Sequence, residues 1–155
     1  MHSSSLLTYL NDHLAGSVAA VQLLDHLIET RTDWSDKTFF EHLKVEIQAD
    51  QETLRRIISV AGSEPLIRKA AAWIMEKFGW LKLELSNTHE LGLLESLEAL
   101  HLGITGKRAL WQALAKAKPL LGVDEIDYQR LIARAELQAD LVNRRRLDAA
   151  AATLR

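Results

Sequence analysis

The sequence predicts an all-α protein, an antiparallel four-helix bundle with an additional shorter crossover helix, in one domain spanning residues 1–155. Three observations carry that prediction. Apolar side chains recur at alternating three- and four-residue spacing over long segments, which is the period of a helix face buried against a neighbour. Only two prolines occur, Pro65 and Pro119, and both fall between those segments, where a helix that cannot continue is broken. No segment alternates apolar and polar residues between hairpin turn pairs, so strands have no signal.

The first segment runs from about Ser4 to Thr30. Ser3, Ser4 or Ser5 can cap it through a side-chain oxygen, and Leu7, Leu10, Leu14, Ser17, Val21, Leu24 and Ile28 form its seam. After the break Arg31-Thr32-Asp33-Trp34, with Trp34 expected to cover the turn, Asp33 or Ser35 can cap the second segment. That segment runs to about residue 61, and Gly62 fits a C′ position with left-handed backbone. Its seam is Phe40, Leu43, Ile47, Asp50, Leu54, Ile57 and Ala61. Each of these two seams thus has one polar member, Ser17 and Asp50.

Pro65 opens a shorter third segment, residues 65–85, which carries Trp73, Phe78 and Trp80. The fourth spans about His89 to Ala117 and carries the stripe Leu94, Leu97, His101, Ile104, Arg108 and Trp111. The fifth starts at Asp124 or the acids after it and reaches Leu147 or beyond, with the alanine tail 149–152 expected to fray. Short links make the first pair and the last pair antiparallel hairpins, and the third segment is the crossover between them.

Composition removes several function classes. A formal charge of −2 with acids and bases interspersed gives no basic footprint for nucleic acid. The Arg144-Arg145-Arg146 run reads as a solvated helix face. With no cysteine, disulfides, thiolate zinc and thiol nucleophiles are excluded. No apolar run approaches the roughly 20 residues of a membrane span, and the N-terminus lacks a signal-peptide pattern, so a cytoplasmic location is the default. Gly103-Ile104-Thr105-Gly106-Lys107 lies inside a helix and is no phosphate loop; its glycines are expected to permit close helix approach.

One internal repeat stands out. Glu46-Ile47-Gln48-Ala49-Asp50 recurs as Glu136-Leu137-Gln138-Ala139-Asp140, 90 positions later, and each copy is followed by basic residues. Acids four apart share a helix face. If the hairpins are related by a pseudo-two-fold axis, Glu46, Asp50, Glu136 and Asp140 face one another mid-bundle. Buried carboxylates then need a compensating cation, either a metal or an Arg or Lys.

With these features the chain resembles the ferritin-like superfamily, and within it the small bacterial YciE/YciF-type proteins. The stretches Glu41-His42-Leu43 through Leu54, Leu97-Glu98-Ala99-Leu100-His101 through Leu110, and Glu136 through Asp140 carry the resemblance. It implies a four-helix bundle with one long crossover and a carboxylate–histidine metal centre. The ligand pattern departs from that family. Ser17 stands where a seam Glu is expected, and Ala49 and Ala139 stand where histidines would follow Glu46 and Glu136. Glu98 and His101 keep the Glu-x-x-His spacing, but on the helix that normally supplies a lone Glu. A degenerate centre is therefore expected, drawn from Glu46, Asp50, Glu98, His101, Glu136 and Asp140, with iron or manganese as the suited metals.

Each residue also has a plainer reading. His101, His13 and His42 read as packing or surface histidines, and Asp50 as the acid of a salt bridge to Arg108, Lys107 or Arg144. Trp73, Trp80 and Trp111 read as core. Three functions follow: a metal-binding ferritin-like protein, a non-catalytic bundle holding an internal ion-pair network, or an interaction module forming a homodimer or binding another protein through the aromatic third segment.

Overall fold

The computed structural model of the protein describes residues 4–62, 76, 89–117 and 125–155. They form four α-helices: α1 (Ser4–Thr30), α2 (Trp34–Val60), α3 (His89–Ala117) and α4 (Tyr128–Thr153). No strand occurs among the described residues. The expected crossover helix at 65–85, with Trp73 and Trp80, lies outside them. The chain divides into two compact units, one built on α1 and α2 and the other on α3 and α4.

In the first unit, α1 and α2 pack side by side. Cross-links show that they run antiparallel: Asp25 meets Lys44, while Ser17, further back on α1, meets Gln51, further on along α2. The link is residues 31–33. Asp33 has extended backbone and its side chain accepts the amide of Asp36 at 2.9 Å, so one orphan donor of the helix start is satisfied. Arg31 reaches the Asp36 carboxylate at 3.3 Å and ties the two helix ends together. Trp34 does not cover this turn. It is the first residue of α2 and is 78% exposed, because the Asp33 cap starts the helix there and points the indole outward.

The seams follow the expected period. Leu10, Leu14 and Leu24 of α1 and Phe40, Leu43, Ile47, Leu54 and Ile57 of α2 are buried. At the end of α2, Ala61 and Gly62 donate to the carbonyls of Ile57 and Ser59, and Gly62 takes φ +86°. A Cβ at Gly62 would meet no atom, so Gly62→Ala is expected to cost only the left-handed backbone penalty, about 1 kcal/mol. Urea melts of the variant check this; an unchanged midpoint would contradict it.

In the second unit, α3 and α4 pack closely and also run antiparallel. Glu98 meets Arg146, and Lys107, further along α3, meets Gln138, further back on α4. Asp127 caps α4 by accepting the amide of Arg130 at 3.0 Å. The alanine tail does not fray: α4 continues through it to Thr153, consistent with the high helix propensity of alanine. Gly103 and Gly106 each face open space where a Cβ would stand, so no close helix approach explains them.

Candidate functional site

The buried polar residues of each unit define the place where chemistry could occur. On α2, Asp50 is 2% exposed between the buried Ile47 and Leu54, as its seam position requires, and it is not left without a partner. Its neighbour Gln51 is also buried and donates to the Ser17 hydroxyl at 3.0 Å. That hydroxyl donates in turn to the Leu14 carbonyl at 2.7 Å. The polar member of the α1 seam is thus used as a hinge between helices: it accepts from α2 and returns its proton to its own backbone. Gln51 escaped sequence reasoning because it flanks the seam. The signal was its position one residue after a seam acid and 34 residues from the seam serine.

The second unit has a matching pair. Gln138 is buried and accepts from the Lys107 ammonium, which joins α3 to α4 in the same manner. His101 is half-buried, and its Nδ1 lies 3.2 Å from the Ala139 carbonyl. A carbonyl only accepts, so Nδ1 carries the proton in this contact. His101 therefore serves as a hydrogen-bonded packing residue across the hairpin. Glu98 is exposed and pairs with Arg146 at 3.4 Å, rather than sharing a site with His101.

The expectation that Glu46, Asp50, Glu136 and Asp140 all point inward does not hold. Asp50 is buried and Glu46 half-buried, but Glu136 and Asp140 are both exposed. The cause is register. The buried residues Leu43, Ile47, Asp50, Gln51 and Leu54 correspond to the buried Leu131, Ala135, Gln138, Ala139 and Val142, each 88 positions later. The sequence motif repeats at 90. A slip of two residues turns a helix face by roughly 200°, so the second copy of the motif shows its acids to solvent and buries its glutamine and alanine. Asp50 is matched in packing by Gln138, not by Asp140.

His13 is half-buried on α1, with its ring 4.7 Å from that of Tyr9 in an edge-to-face contact. Burial lowers its pKa below the ordinary 6.5, and the nearby Asp12 offsets part of that shift. A lowered folded pKa means that the unfolded chain binds the proton more readily. The His13 contribution is therefore present above about pH 6.5 and is lost as pH falls toward and through the folded pKa. Urea melts at about pH 7.5 and about pH 5.5 are expected to show a smaller acid-side loss in His13→Gln than in the wild type. An equal loss in both proteins would remove His13 as a source.

Among the described residues, no group of three or more His, Asp or Glu side chains is placed to hold a metal ion. No described helix is long and apolar enough to cross a membrane. In comparisons with known proteins, no family model, no curated protein and no solved structure matches the chain.

Proposed function

We propose that this chain is a non-catalytic helical protein that works as an interaction module, on a ferritin-like layout whose metal centre has degenerated. In this reading its buried polar residues select helix partner and register. The observation that carries the reading is how those residues are engaged. Ser17 with Gln51, and Lys107 with Gln138, join helices to each other, while Glu98, Glu136 and Asp140 face solvent. A polar pair at an apolar seam costs stability if misregistered, because the buried glutamine of each pair then loses its partner. Such pairs fix one alignment of two helices among several of similar apolar content.

Melting the purified protein with a chelator, then with ferrous iron or manganese, tests this reading. The expected result is one melting temperature in all three conditions. Stabilisation that saturates at a fixed metal stoichiometry would overturn the proposal, because a metal bound only by the folded state must raise its stability.

A further inference from the structure

The outward face of α4 carries a second seam that the two hairpins do not use. Ala133, Leu137, Asp140, Arg144, Leu147 and Ala151 follow one another at spacings of four and three residues, and all six are exposed. Leu137 and Leu147 are 60% and 52% exposed, large values for leucines at seam spacing. The order is palindromic: alanine, leucine, acid, base, leucine, alanine. Turned end for end about the point between Asp140 and Arg144, the stripe matches itself. Ala133 then meets Ala151, Leu137 meets Leu147, and Asp140 meets Arg144. Neither Asp140 nor Arg144 has an ion-pair partner within the chain among the described residues.

We propose that this face binds a second copy of the chain, α4 against α4 in antiparallel orientation, through two reciprocal Asp140–Arg144 ion pairs flanked by two Leu137–Leu147 contacts. The partner is a copy of the chain because the complementarity is internal. A two-fold interface requires that residue i meet j and j meet i, and each charged and apolar position of the stripe has its complement on the same stripe. Charge also sets direction. Parallel and in register, Asp140 would face Asp140 and Arg144 would face Arg144, which is repulsive, whereas the antiparallel arrangement is attractive at both places. The pairing builds on the reading of the chain as an interaction module and names its partner. Metal titration does not test it, and its failure would leave that reading standing.

Sedimentation equilibrium on the wild type, Asp140→Arg, Arg144→Asp and the double swap decides the matter. Both positions are exposed, so each variant should keep the wild-type circular dichroism. The wild type should form a reversible dimer, with each single variant raising its dissociation constant at least about tenfold by placing like charges together. The double swap should restore wild-type affinity, and an equimolar mixture of the two single variants should give a heterodimer, since both ion pairs are rebuilt there. A wild type that stays monomeric at every concentration overturns the proposal. So does a dimer indifferent to the single substitutions, or a mixture that fails to associate.

Discussion

Asp50→Asn is expected to lower stability by about 1–3 kcal/mol, while Asp140→Asn should stay within about 0.5 kcal/mol in the dilute monomer. The two residues occupy the same place in the repeated motif, so identity alone predicts equal effects. Packing predicts the contrast. Asp50 is 2% exposed among Ile47 and Leu54 and is engaged by a partner; replacing one carboxylate oxygen by an NH2 group mismatches a buried polar contact where water cannot replace it. Asp140 stands in solvent. Urea melts of both variants at one pH measure the difference. A neutral Asp50→Asn would end the idea of a buried polar contact at this position, and an Asp140→Asn that is costly in the dilute monomer would contradict the 88-residue packing register.

The second large effect is at Trp111, which is 1% exposed on α3 and lies against Tyr128, with ring centroids 6.4 Å apart. Burial raises the pKa of Tyr128, as expected for a phenol removed from water beside an indole. Trp111→Ala should cost about 3–5 kcal/mol through lost burial and the cavity left behind. Trp111→Phe should cost markedly less than its volume loss suggests. The indole Nε1 is buried and has no hydrogen-bond partner among the described residues. Phenylalanine removes that unsatisfied donor, which offsets about 1–3 kcal/mol of desolvation. Denaturant midpoints of the two variants give the comparison. Equal losses would mean that the N–H contributes a bond after all.

The sequence made the helices legible because seam period, prolines and caps agree. Asp33 and Gly62 end up where their chemistry places them, and so does Asp50, whose apolar neighbours Ile47 and Leu54 mark a buried face. The candidate centre was legible only in part. A five-residue match fixes identity but not orientation, and α4 offers two competing faces: Leu131, Ala135 and Val142 are buried, while Leu137 and Leu147 are not. Alanine-rich helices leave that choice to packing, because small side chains weaken the apolar contrast between faces. Gln51 and Gln138 were hidden for a related reason. A polar residue beside a seam reads as surface until its partner on the next helix is known.

The link between α1 and α2 is only residues 31–33, and this has a kinetic corollary. Contacts such as Asp25 with Lys44 join positions close in the chain, so little loop entropy opposes them. Topologies dominated by such local pairings cross their barrier in about microseconds to milliseconds. The first hairpin can thus zip outward from its turn before any distant part of the polypeptide is recruited, and Arg31 and Asp36 sit at the point where zipping begins.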